Sequence, residues 1–284
     1  MKELNNVAHT LRLGREFLRT HKIESHGQDA NLILAHVLGF SKTMLYTKDD
    51  YILTDFESEQ YSNLLERRIS GVPVKYILGE CEFMGHMFMV NENVLIPRPD
   101  TETLVNAYIE ANANQQFNTI LDMCTGSGCV AVSICKATNP KTMLAADVSE
   151  QALDVARKNA QLNGCNIEFY RSNLFESVPK KYIGVLDAIV SNPPYIKRED
   201  IKTLTAEVQN EPLLALDGGP DGLDFYRRII NGATQFLKPG GRIFFETGHD
   251  QAAKIGKLLA DNGFCDIITV CDLAGIQRVV SAKF

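Results

Sequence analysis

The sequence predicts an α/β chain in two parts: a small helical domain, then a mostly parallel sheet with helices on both faces. Three observations lead there. Residues 1–75 show helical spacing and helix boundaries with no strand-like alternation. Residues 76–100 break into short apolar pieces separated by glycines and end in a proline-rich junction. From residue 101 onward, short apolar runs alternate with helix-length amphipathic segments, the pattern of strand–helix–strand units around a parallel sheet.

In the first part, Val7, Leu11, Phe17 and Leu18 fall near one helical face, and Asn31 to Leu38 form a second apolar stretch that Gly39 ends. Thr54-Asp55-Phe56-Glu57 reads as a capping box opening a helix that carries Tyr61, Leu64, Leu65 and Ile69. Gly71 closes that helix and Pro73 prevents its continuation. Tyr76-Ile77-Leu78-Gly79, Phe83-Met84-Gly85 and Phe88-Met89-Val90 suggest a hairpin-like connector. Ile96-Pro97-Arg98-Pro99-Asp100 is too rich in proline for a central strand or a helix interior, so it reads as a stiff junction.

Beyond it the expected strands are 119–123, 142–148, 167–170, 185–191 and 242–246, with a final pair at 265–270 and 277–282. The expected helices between them are 129–137, 150–163, 221–236 and 251–262. Ser149 is a good N-cap and Gly164 a good stop for the second of these. Pro239-Gly240-Gly241 closes the third. The expected division is therefore 1–75, 76–100 and 101–284, within a length of 284 residues that allows one standard domain plus a small one.

Composition narrows the class. Hydrophobic residues make up 45% and charged residues 23%, ordinary for a globular protein. No apolar run reaches the roughly 18 residues of a membrane span, and the N-terminus lacks the apolar core of a secretory signal. A cytoplasmic location without membrane contact is expected. The net charge is −6; residues 1–75 balance 10 basic against 10 acidic residues, and the remainder holds 19 against 25. That distribution offers no basic stripe for a nucleic-acid backbone. The seven cysteines contain no Cys-x-x-Cys pair and the six histidines no metal-like spacing with them, so reduced, packed thiols and no metal are expected.

Two motifs carry chemistry. Asp122-Met123-Cys124-Thr125-Gly126-Ser127-Gly128 follows the first strand of the sheet and opens a helix. Glycines there let the backbone approach a nucleotide-like ligand, and the helix N-terminus offers free N–H groups. Asp147 ends the next strand, where a carboxylate can accept both hydroxyls of a ribose. The loop alone suits a dinucleotide or S-adenosyl-L-methionine equally well.

The second motif, Asn192-Pro193-Pro194-Tyr195, ends the fourth strand, which should lie beside the first across the topological switch point. The prolines fix φ and leave rigid carbonyl acceptors, Asn192 adds a side-chain acceptor, and Tyr195 an aromatic face. Two acceptors can hold both hydrogens of a planar –NH₂ group and push electron density onto its nitrogen, with Tyr195 packed on the plane. Orientation and electrostatics then suffice for methylation, with no strong base. A nicotinamide dehydrogenase has no use for such a pair, which favours S-adenosyl-L-methionine as cofactor and S-adenosyl-L-homocysteine as product.

With these motifs in place, the whole chain resembles the bacterial release factor glutamine methyltransferases. The likeness includes both motifs, Pro73-x-x-Tyr76-Ile77-x-Gly79, Phe83-x-Gly85 and Leu95-Ile96-Pro97-Arg98-Pro99-Asp100-Thr101-Glu102. Glu211-Pro212 and Ala215-Leu216-Asp217-Gly218-Gly219-x-Asp221-Gly222-Leu223 belong to it as well. The tetrapeptide is shared with adenine and guanine amino methyltransferases; its combination with the Ile-Pro-Arg-Pro junction and a helical N-terminal part is far more specific.

The resemblance implies a Rossmann-like seven-stranded S-adenosylmethionine methyltransferase domain, joined by a β-hairpin to a helical domain that recognises substrate. It implies N5-methylation of the glutamine in the Gly-Gly-Gln motif of class 1 peptide chain release factors, which tunes translation termination, by an enzyme expected to be a monomer. Carried over by position, Cys124, Thr125, Gly126, Ser127, Gly128 and Asp147 would contact the cofactor, with Asn173 and Leu174 near its adenine and Asn192 at its border. Asn192, Pro193, Pro194 and Tyr195 would hold the glutamine amide.

Two positions depart from the family pattern. Cys124 stands where a glycine is usual, which a negative φ would accommodate. Asn173 stands where an aspartate is usual, keeping an acceptor but losing charge. Arg98 and Glu102 are further candidates for positioning substrate or for bracing the junction. Glu246 reads as a solvated strand end in preference to a pocket residue, His249 as a surface residue, Asp217 to Pro220 as a turn bordering the cofactor entrance, and Phe83 and Phe88 as hairpin packing in preference to lining of the substrate cleft. The rival readings are a ribosomal-protein glutamine methyltransferase, which the Pro-Arg-Pro-Asp-Thr-Glu junction disfavours, and a nucleic-acid amino methyltransferase, which needs a basic stripe. A non-catalytic binding module would lack cofactor affinity.

Overall fold

The computed structural model describes residues 5–284, which divide into two units. One comprises the chain up to Glu80 together with Thr205–Asn210; the other comprises Cys81–Leu204 and Glu211–Phe284.

The first unit is helical: α1 (Val7–Thr20), α2 (His26–Leu38), α3 (Met44–Thr47), α4 (Asp55–Ile69) and α5 (Val74–Leu78). Its core gathers Val7, Leu11, Leu18, Ile33, Leu34, Tyr61 and Leu65. The capping box forms as its residue types require: Thr54 Oγ1 accepts from the Glu57 amide at 3.2 Å, and the Thr54 amide donates to Glu57 Oε2 at 2.7 Å. Tyr76 to Leu78, expected in the connector, instead belong to a fifth helix. Pro73, with φ −56°, both stops α4 and sets the entry of α5, and Gly79 closes it in the left-handed region at φ 76°. The Arg68 side chain is only 1% exposed; its Nε donates to Asp29 Oδ2 at 2.7 Å and it pairs with Glu207. Asn210 Nδ2 also donates to the Gly71 carbonyl at 3.1 Å. These bonds make residues 205–210 part of the helical unit.

A hairpin follows at the border of the two units, β1 (Glu80–Phe83) and β2 (His86–Met89), all but its first residue in the second unit, where the edge-on pair Phe83 and Phe88 is buried. After α6 (Thr101–Gln115) come β3 (Thr119–Met123), α7 (Cys129–Thr138), β4 (Thr142–Asp147), α8 (Glu150–Leu162), β5 (Glu168–Arg171) and β6 (Leu186–Ser191). Then follow α9 (Asp224–Phe236), β7 (Leu237–Glu246), α10 (Ala252–Asp261), β8 (Cys265–Cys271) and β9 (Gln277–Lys283). The seven-stranded sheet runs β5-β4-β3-β6-β7-β9-β8. β3 pairs in parallel with both β4 and β6, and β9 lies antiparallel between β7 and β8. This is the Rossmann-like α/β arrangement. All six residues of β6 are buried, as a central strand covered on both faces demands.

Strand order reverses between β3 and β6, which places Met123 opposite Ser191 at the carboxyl ends of both strands. The bond from Ser191 Oγ to the Met123 carbonyl, 2.6 Å, fastens the two ends together. Two boundaries differ from expectation. Asp221 to Leu223 form a turn ahead of α9, and β7 begins at Leu237, before the Pro-Gly-Gly segment, with an irregularity in its pairing to β6. Among the described residues no helix is long and apolar enough to cross a membrane.

Candidate active site

At the switch point an open cavity of about 1030 Å³ lies over the carboxyl ends of β3, β4 and β6. Its lining includes Cys124, Thr125, Gly126, Ser127, Asp147, Asn173, Leu174, Asn192, Pro194 and Arg98. So the glycine loop and the tetrapeptide, separated by more than 60 residues of sequence, border one space.

The glycine loop is held by its own carboxylates. Asp122 Oδ2 accepts from Thr125 Oγ1 at 2.6 Å and from the Ala131 amide at 3.2 Å. Asp147 accepts from the Gly126 amide at 2.9 Å and from the Ser149 amide at 3.0 Å. Burial pushes the Asp122 carboxyl up to about 7, opposed by its Thr125 and Ala131 bonds, and burial likewise raises Asp147 against the Ser149 and Gly126 amides. Gly128 does not line the cavity. A Cβ there would come within 3.0 Å of Ala156 Cβ, so this glycine serves close packing against α8.

Cys124 corrects an expectation. Its φ is +63°, in the left-handed region, so the chain holds a side chain where the backbone favours glycine. The thiol packs against the core cluster, and burial raises its pKa, so it is a protonated, inert wall. Asn173 is exposed at the cavity rim, accepting from Arg228 at 2.7 Å and donating to Glu176 at 2.8 Å. Leu174 is buried and apolar at the same wall.

In the tetrapeptide, Asn192 and Pro194 reach the cavity, whereas Pro193 and Tyr195 are not part of its lining. The Tyr195 ring packs against the core instead, with its hydroxyl 3.4 Å from Glu246 Oε1. Asn192 Nδ2 donates to Thr101 Oγ1 at 3.2 Å, which leaves Oδ1 as the acceptor available to a ligand. The segment that follows is clamped. Ile196 accepts from and donates to the backbone of Leu216 to Gly218, and Gln251 Nε2 donates to the Tyr195 carbonyl at 2.9 Å. Any Cβ at Gly218 would lie 2.7 Å from Tyr195 Cα, so the Asp217-Gly218-Gly219 turn serves as a close brace for the tetrapeptide.

Arg98 lines the cavity and is paired with Glu211, whose other oxygen accepts from the Ile96 amide at 3.0 Å. Glu102 caps the hairpin turn by accepting from the Met84 amide at 2.9 Å. Glu246, expected as a solvated strand end, is only 2% exposed. Sequence reading also passed over Asn159 and Gln251, which look like unremarkable helix residues and whose partners lie far away in the chain.

The cavity's chemistry discriminates between ligands. Its charged lining residues are Asp122, Asp147 and the already paired Arg98. A pyrophosphate would meet two carboxylates and no free cation there. A ligand with a positive centre and a ribose fits: Asp147 can receive the diol, and the acidic wall favours the cation.

A family model described as the methyltransferase small domain matches residues 100–213, and one described as the PrmC N-terminal domain matches residues 9–79. The fold is similar to that of a methyltransferase from Pyrococcus furiosus (TM-score 0.53, 19% identity, 78% of this chain and 98% of that one), a likeness of fold alone. Fold, site and matches define the class, an S-adenosylmethionine-dependent methyltransferase. Two relatives named release factor glutamine methyltransferase come from Clostridium acetobutylicum and Thermodesulfovibrio yellowstonii. Each is 39% identical to this chain, covering 91% and 92% of it and 92% and 93% of the relative respectively. The chain belongs to the release factor glutamine methyltransferase family.

Proposed function

We propose that the protein transfers the methyl group of S-adenosylmethionine to the side-chain amide nitrogen of the glutamine in the Gly-Gly-Gln motif of a class 1 release factor. The observation that carries this reading is Asn192, whose Oδ1 is left free at the cavity while Nδ2 is engaged by Thr101. Asn192 Oδ1 and a rigid carbonyl of the Asn-Pro-Pro segment accept the two amide hydrogens. The bound cofactor supplies an electrophilic methyl group. Asp147 takes the ribose hydroxyls, the loop from Cys124 to Ser127 borders the rest of the cofactor with Gly128 packing the loop against α8, and Leu174 and Asn173 border the adenine. Arg98, fixed by Glu211, shapes the approach for the substrate loop.

In this reading residues 1–75 recognise the release factor, 76–100 connect, and 101–284 carry out transfer, in a monomer of the cytoplasm with no nucleic-acid grip. Support comes from the family membership, the balanced charge of the N-terminal part and the acidic cavity. Incubation with labelled S-adenosylmethionine, a release factor and bulk RNA tests it. Label on the Gly-Gly-Gln glutamine is expected; label on RNA alone overturns it.

A further inference from the structure

Glu246 closes β7 beside the end of β6, where Phe245 pairs with Ser191. A carboxyl at the end of a parallel strand normally reaches water, yet this one is buried and its Oε2 has no hydrogen-bond partner among the described residues. Such a group is costly to keep. Its neighbours show what it is next to. Tyr195 directs its hydroxyl at Oε1 from 3.4 Å. The Thr101 hydroxyl stands near enough to favour the ionised carboxyl, and the same hydroxyl accepts from Asn192 Nδ2 at 3.2 Å. Tyr226 donates to the Glu246 main-chain carbonyl at 2.8 Å, which anchors the residue independently of its carboxyl.

A hydroxyl both donates and accepts. Where a carboxylate receives the Thr101 proton, the oxygen of Thr101 is available as an acceptor, and Asn192 must offer it Nδ2. Without that direction the Asn192 amide can turn over and present a donor, which a substrate –NH₂ group rejects. We propose that Glu246 is a positioning residue for amide methylation, acting through Thr101 on Asn192 and through Tyr195 on the backbone of the same tetrapeptide. This rests on the function proposed above and deepens it: the buried carboxyl makes the site select an amide donor.

Charge state matters to such a relay. Burial pushes Glu246 up to about 7, opposed by the neighbouring Thr101 hydroxyl. The groups facing it are Asp100 ahead of α6, Arg278 on β9, Tyr195 after β6, Tyr226 on α9 and the Cys129 thiol on α7. Because the carboxylate is the working form, turnover rises with pH as Glu246 ionises. Asp122 also sits near 7 and lines the cavity, so the comparison of wild type with Glu246→Gln, not the inflection alone, assigns the titration.

The test compares full-length wild type, Glu246→Gln, Thr101→Val and Thr101→Ser. It measures release factor methylation between pH 6 and 9 (about one unit either side of the expected inflection and beyond), cofactor binding by calorimetry and thermal melting. In Glu246→Gln and Thr101→Val, kcat is expected to fall about tenfold or more. Cofactor Kd should change by about twofold or less, and Thr101→Ser should restore turnover. The wild-type inflection in kcat should be missing from Glu246→Gln. Wild-type kcat in Glu246→Gln, or the inflection retained in it, overturns the relay. If Glu246→Gln does not fold, Thr101→Val decides, and unchanged kcat there overturns the relay equally. No wild-type methylation of the release factor would instead overturn the parent function.

Discussion

At the scale of single residues, Asn192 and Cys124 show two ways a side chain can matter at this site. In the proposed reaction Asn192 acts through one oxygen. Asn192→Ala keeps the backbone of a half-buried position but removes that acceptor and the Thr101 bond. Turnover on the release factor is expected to fall about a hundredfold or more, with cofactor affinity by calorimetry nearly unchanged; near-normal turnover would rule out the two-acceptor arrangement. Cys124 acts through its backbone. At φ +63° an L-residue carries a strain of roughly 1–2 kcal/mol, which Gly would not. Cys124→Gly relieves it but loses packing of the thiol against the core, so stability by urea denaturation should change by no more than about 1 kcal/mol. Cys124→Val adds β-branching to the same φ and should cost about 2–3 kcal/mol. Equal effects from both would show that the strain is absent.

At the scale of elements, α8 ties the hairpin to the glycine loop through Asn159, which is fully buried. Its Oδ1 accepts from the Met89 amide at 2.7 Å, and its Nδ2 donates to the Met89 and Ser127 carbonyls at 3.0 and 2.9 Å. Asn159→Leu leaves three backbone groups without this partner, the buried Ser127 carbonyl and the part-buried amide and carbonyl of Met89. The expected loss is about 2–4 kcal/mol of stability, accompanied by weaker cofactor binding because Ser127 belongs to the loop; calorimetry at constant temperature would expose unchanged affinity if the tie were idle. This tie also marks the limit of sequence reading. The strands and helices of the sheet unit were legible because burial on both faces writes apolar runs and periodic helices into local sequence. The capping box was legible because its partners lie three residues apart, and the glycine loop and the tetrapeptide because their residue types are contiguous in the chain. Asn159, Gln251 and Glu246 were not, because their bonds span 32 to 70, 56 and 51 residues. The sign of φ at Cys124 was missed because it is set by the turn, not by the residue that occupies it.

At the scale of the whole molecule, the chain leaves the sheet unit after Leu204, spends residues 205–210 in the helical unit, and returns at Glu211. Both flanks of that excursion serve the site: before it stands the tetrapeptide, and after it Glu211 fixes Arg98 while Pro212, Leu214 and Ala215 line the cavity. The excursion is fastened by Arg68, whose guanidinium joins buried Asp29 to Glu207. In Arg68→Met the Asp29 carboxylate loses its ion-pair partner, which costs on the order of 3–5 kcal/mol for a buried pair. That loss falls on the helical unit, whereas every residue proposed to hold the cofactor belongs to the sheet unit. Scanning calorimetry should therefore show a transition that Arg68→Met lowers and a second one that S-adenosylmethionine raises, by similar amounts in wild type and variant. If residues 1–75 recognise the release factor, the variant's KM for that substrate rises more than its kcat falls. A single transition moved as a whole by both the substitution and the cofactor would mean that the two units unfold as one.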